Sequence, residues 1–66
     1  MRRARKVRLH LVSGETVEGL MTRRLIAGHY LLHAPRFIES EDRSFSLDGD
    51  VEVHRSSVKF VQVLRP

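Results

Sequence analysis

Cysteine and tryptophan are absent from this sequence of 66 residues, and proline (two), glycine (four), tyrosine (one) and phenylalanine (three) are sparse. The missing cysteines exclude disulfide staples and thiolate metal sites. A chain this short buries only about 60% of the surface it exposes when unfolded, and without disulfides or a structural metal the remaining common support is association with further copies. Absent cysteine also fits a reducing compartment. No apolar run approaches the roughly 20 residues of a membrane span, and no signal-peptide core follows the basic start Arg2-Arg3-Ala4-Arg5-Lys6. The expectation is a soluble cytoplasmic protein with no membrane partner.

What is present is period-two alternation. Val7, Leu9 and Leu11 alternate with Arg8 and His10, Ser13-Gly14 supplies turn chemistry, and Thr16-Val17 restarts the pattern. Gly19 inside the second strand marks a bend or bulge. The second strand reads through Thr22, and residues 23–28 read as an irregular connection. The run from His29 to Ala34 reads as a strand that continues through Arg36-Phe37-Ile38 past a bulge at Ala34-Pro35, since proline gives no N–H to a ladder. Glu39 to Arg43 reads as a polar turn, Ser44 to Leu47 as a strand, and Asp48-Gly49 as a hairpin dipeptide before Val51 and Val53. A Ser56-Ser57 turn precedes the last strand. Five or six short strands at this spacing predict a small, strongly bent all-β barrel over 7–66, preceded by a basic arm over 1–6.

The closing strand is apolar on both faces, through Val58, Phe60, Val61, Val63 and Leu64. An uncovered edge of that composition invites aggregation, so a homo-oligomer is expected, with Val51, Val53, Val58, Phe60, Val61 and Val63 at its interface. A polar replacement such as Phe60→Glu is expected to abolish fold and assembly together.

Charge is unevenly placed around a net +4. Arg2, Arg3, Arg5, Lys6 and Arg8 crowd the first eight residues, and six carboxylates cluster between 39 and 52. A basic arm of this kind can contact phosphates and release counterions. Among the histidines at 10, 29, 33 and 54 no zinc-protease spacing occurs, and no serine sits in a nucleophile motif. No metal, no cofactor and no enzyme activity are expected. The aromatic supply for base stacking is thin, because Tyr30 stands alone and the three phenylalanines read as core.

The hairpin with Gly14 at its turn and Gly19 five residues on, together with Val53-His54-Arg55-Ser56-Ser57-Val58-Lys59-Phe60-Val61, resembles the Sm-like barrels, including bacterial Hfq. The likeness spans residues 7–64. His54-Arg55 stand where that family has Arg-Gly, and the Tyr-Lys-His signature of Hfq is absent. The resemblance implies a ring of identical subunits binding single-stranded nucleic acid, RNA before DNA, without catalysis. It places the pocket in the loops around Arg23, Arg24 and His29 and around His54 and Arg55; Tyr30 and the arm residues Arg2, Arg3, Arg5 and Lys6 complete the candidate set. Without the family's signature side chains, recognition would be electrostatic more than base-specific. The alternative is a structural or regulatory module, such as a phage-type accessory or assembly protein, that uses the same barrel to engage a protein partner.

Overall fold

A computed structural model describes residues 3–23 and 25–65 of the chain. The described residues are all-β, with six antiparallel strands: β1 (Arg5–Leu11), β2 (Thr16–Met21), β3 (His29–Ile38), β4 (Ser44–Ser46), β5 (Val51–His54) and β6 (Val58–Val63). One turn of 3-10 helix, Arg55–Ser57, joins β5 to β6. Strand order is β4-β3-β2-β1-β6, and β5 also pairs with β3. β1 takes in Arg5 and Lys6, which lie opposite Met21 and Leu20.

Three transverse rows show why the sequence alternation yields this sheet. Val61, Leu9, Val17, Phe37 and Phe45 lie opposite one another across five strands. This row faces inward. Leu9 is fully buried and Val17 nearly so, and Phe37 stacks on Phe45 with ring centroids 5.3 Å apart. The rows on either side face outward: Gln62, Arg8, Glu18, Arg36 and Ser46 form one that is wholly polar, while Phe60, His10, Thr16, Ile38 and Ser44 form the other, with Phe60 and Ile38 as its apolar members. Leu9, Val7, Val17, Met21 and Leu32 make the buried core, with Leu11, Tyr30, Phe37, Val53, Val58 and Val61 packed against it.

Turns and bulges set the curvature. At the first hairpin Gly14 takes φ +99° and donates its N–H to the Leu11 carbonyl at 2.9 Å, as Ser13-Gly14 predicts. In β3 the two residues Ala34 and Pro35 oppose the single residue Gly19, a bulge at the site the glycine and proline mark. Ala34 adopts φ +49°, and Pro35 is fully buried. The opposite edge of β3 yields at the same level. β4 pairs with Arg36 to Ile38 and β5 with His29 to Leu32, so 47–50 oppose 33–35 with one residue extra.

Asp48-Gly49 is therefore a bulge and not a hairpin. β4 and β5 are two lengths of one interrupted strand, and the chain reverses earlier, where Glu39 N–H donates to the Arg43 carbonyl at 2.9 Å. Gly49 does take the positive φ that the dipeptide predicts, +74°.

The phenylalanines also depart from expectation. Phe60 is 51% exposed and Phe45 48%. Phe60 stands on the outer face because a bulge at Lys59 shifts the register: Leu11 opposes Val58 whereas His10 opposes Phe60. That extra residue turns Val58 and Val61 inward and Phe60 outward. A glutamate at 60 would thus sit at the surface, so the expected collapse of the fold has no structural basis.

β5 pairs only with β3 and β6 only with β1 among the described residues, leaving one free edge on each. Among the described residues no helix is long and apolar enough to cross a membrane.

Candidate nucleic-acid interface

The candidate residues separate into two clusters. At one end, the start of β3 meets the 3-10 turn: Arg55 N–H donates to the Gly28 carbonyl at 2.9 Å, and His29 lies directly opposite His54, their rings edge-on with centroids 5.0 Å apart. Gly28 takes φ +79°, and a Cβ there would lie 3.6 Å from His54 Nε2. The loop and the turn that the family likeness singles out thus meet.

Local hydrogen bonds orient both imidazoles. His29 Nδ1 donates to the Ala27 carbonyl at 3.0 Å, which leaves Nε2 an acceptor in the neutral ring. His54 Nδ1 accepts from Ser56 N–H at 3.1 Å, capping the 3-10 turn, and from Ser56 Oγ at 2.7 Å. Its Nε2 then carries the proton and serves as a donor. The pair offers one acceptor and one donor beside the exposed Arg55 guanidinium. Tyr30 lies next to His29 but is packed against the core. The Ser56–His54 contact is a cap, since among the described residues no carboxylate bonds His54 Nε2 to complete a nucleophilic triad. No three His, Asp or Glu side chains among the described residues gather as metal ligands.

The second cluster flanks an open groove of about 510 Å³ between β1, β2 and β6. Arg3, Arg5 and Arg23 line it together with Thr22, and Met21, Val61 and Val63 contribute its apolar part. Arg5 is drawn there because it opposes Met21 on the inward-facing register of β1, beyond the end of the core. Three guanidinium groups around one groove form a concentrated positive field suited to a phosphodiester. Arg2 and Arg24 lie outside the described residues.

Lys6 joins neither cluster. It reaches Glu18 on the outer face at 3.7 Å, while Arg8 Nε donates to the same carboxylate at 2.9 Å. Glu18 is only 6% exposed, and these two cations are what make its burial tolerable. Other carboxylates follow β5 toward the histidine cluster, with Glu52 two residues before His54 on the same strand. Asp48, Asp50 and Glu52 are exposed along the 47–54 edge, with Asp50 held 3.2 Å from His33 Nδ1.

Of the residues expected at an interface, Val53, Val58 and Val61 are half-buried against the core, Val51 is half-buried beside them, and Phe60 and Val63 are exposed. Sequence reasoning named Arg8 among the basic residues able to contact phosphate but missed its setting, the outer face of β1 and β6, where Phe60 stacks on His10. The outward alternation of Arg8 and His10 was a usable signal, but their pairing with Phe60 and Gln62 needed the long-range register. No family model, curated protein or solved structure matches the chain.

Proposed function

We propose that this chain is a non-catalytic Sm-like protein that assembles head to tail into a ring and binds single-stranded nucleic acid, RNA in the first instance. The observation that carries the assembly is the pair of free edges on β5 and β6. Both edges bring inward-facing valines, Val51 and Val53 on one and Val61 and Val63 on the other, so pairing them between copies extends the backbone ladder and the apolar row together. Repeated through identical subunits, such a heterologous contact closes into a ring when the rotation allows. Binding would draw on the Arg3, Arg5 and Arg23 groove and on the His29, His54 and Arg55 cluster.

Light scattering with a proline variant tests the assembly. Leu64 N–H donates to the Lys6 carbonyl, so in that register the N–H of Val63 points away from β1, toward the free edge. Val63→Pro therefore removes a donor from the edge while sparing the β1 ladder. Wild type should run as a multiple of the 7.7 kDa chain at micromolar concentration and the folded variant as a single chain. A wild-type mass of one chain overturns the ring.

One observation favours a second reading, a protein-interaction module. Asp48, Asp50 and Glu52 give the β5 edge a negative border that repels nucleic acid and suits a basic protein surface. Specific capture of a basic partner by a chain that binds no oligonucleotide would establish that reading instead.

A further inference from the structure

The two outward rows across β6, β1, β2, β3 and β4 carry an assembled set of side chains that neither cluster above includes. Phe60 lies almost parallel to the His10 ring, with centroids 4.3 Å apart and 18° between planes. His10 is fixed in turn: its Nε2 donates to Gln62 Oε1 at 2.8 Å, and Thr16 Oγ1 donates to Nδ1 at 3.4 Å. One face of Phe60 is thus held against a clamped imidazole, and the side chain remains 51% exposed.

Cations flank this aromatic step. Arg8 spends only Nε on Glu18, and among the described residues no protein acceptor takes its terminal nitrogens. Arg36 directs both terminal nitrogens to hydroxyls, Ser46 Oγ at 2.9 Å and Ser44 Oγ at 2.7 Å, and among the described residues it has no carboxylate partner. Lys6, Arg8 and Arg36 are therefore three positive charges against the single buried carboxylate of Glu18.

From this geometry we infer that the outer sheet face is a stacking platform for single-stranded RNA, with a base on the free face of Phe60 and phosphates on Arg8 and Arg36. Charge and shape select this occupant. A net positive face bearing an exposed planar ring suits a polyanion that itself carries planar groups, and base stacking on aromatic side chains tolerates any sequence. Strand spacing of about 4.8 Å puts Phe60 and Arg36 roughly 14 Å apart across the sheet, so the ring and this guanidinium would engage different nucleotides of one strand. The inference rests on the nucleic-acid reading above and assigns it a surface.

The chain has no tryptophan, so Phe60→Trp introduces a sole indole at the platform. Titration with a short uridine oligonucleotide should quench its emission in a saturable, salt-sensitive manner. Phe60→Ala should weaken binding between about fivefold and a hundredfold, the range of one base stack. Circular dichroism should find both variants folded. If wild type binds the oligonucleotide but Phe60→Ala binds it equally well, or the indole emission does not change on saturation, the platform is wrong and the general reading survives. If wild type binds no oligonucleotide even at about 50 mM salt, where phosphate contacts are strong, both readings fall. Protection of Phe60 by a protein partner under those conditions would reassign the face to protein.

Discussion

A Cβ placed on Gly19 would lie 2.9 Å from the Cβ of Leu32 and 3.1 Å from the His33 carbonyl oxygen. Both neighbours belong to the rigid part of β3, so neither can swing aside. Gly19→Ala is expected to push β2 away from β3 at the bulge and destabilise the protein by about 1–3 kcal/mol. Each kcal/mol is worth roughly 4–8 °C in a domain this small. Thermal unfolding followed by circular dichroism measures the effect, and an unchanged Tm would mean that the two strands are not so close.

Ala34 sits at the same bulge with φ +49°, a conformation that an L-residue with a Cβ adopts at a cost of roughly 1–2 kcal/mol. Glycine removes that strain but adds freedom to the unfolded chain, which offsets about 0.5–1 kcal/mol. Ala34→Gly should therefore be neutral or stabilise by up to about 1.5 kcal/mol, unlike glycine substitution elsewhere in β3. Urea unfolding decides the sign, and a clear fall in the midpoint would show that the residue is not left-handed in solution.

Phe60→Glu should fold. The side chain is exposed on the outer face, so the substitution removes the His10 stack and some apolar packing, without burying a charge. Its cost should stay near about 1 kcal/mol, and amide NMR dispersion should persist. A disordered spectrum would return Phe60 to the core.

Arg3→Ala, Arg5→Ala and Arg23→Ala combined should weaken oligonucleotide binding and flatten the dependence of log affinity on log salt, by about 0.7 for each phosphate that is no longer neutralised. Arg55→Ala should act in the same direction if the histidine cluster also holds backbone. Equal slopes for wild type and all variants would remove the groove and the turn from the binding surface.

How much of this was legible in the sequence follows from the range of each signal. Val7 to Leu11 declared a two-faced strand because its alternation is local, and Gly19 with Pro35 declared the bulge because each is a residue that a regular ladder rejects. Asp48-Gly49 misled because a hairpin and a bulge ask for the same positive φ, and only the shared partner β3 separates them. Phe60 misled for a related reason. One extra residue at Lys59 inverts the faces of everything after it, and no local pattern announces that inversion. Meeting of the His29 and His54 loops is a long-range contact between positions 25 apart in sequence, and no local pattern announces it.

Pairing of β1 with β6 also bears on how the molecule is made. His10 and Gln62 bond across 52 residues of chain, and Leu9 reaches its final neighbours only when Val61 is beside it. Loop-closure entropy is met in full before that last ladder returns anything. The meander from β1 to β4 can form by successive short closures, whereas the strand that seals the core arrives from the far end. During synthesis β1 must wait, one edge bare, until β6 has left the ribosome. Folding should accordingly be slow for so small a protein, on the millisecond-to-second scale of non-local β topologies, and the interval before β6 docks is when a second chain could most easily take its place beside β1.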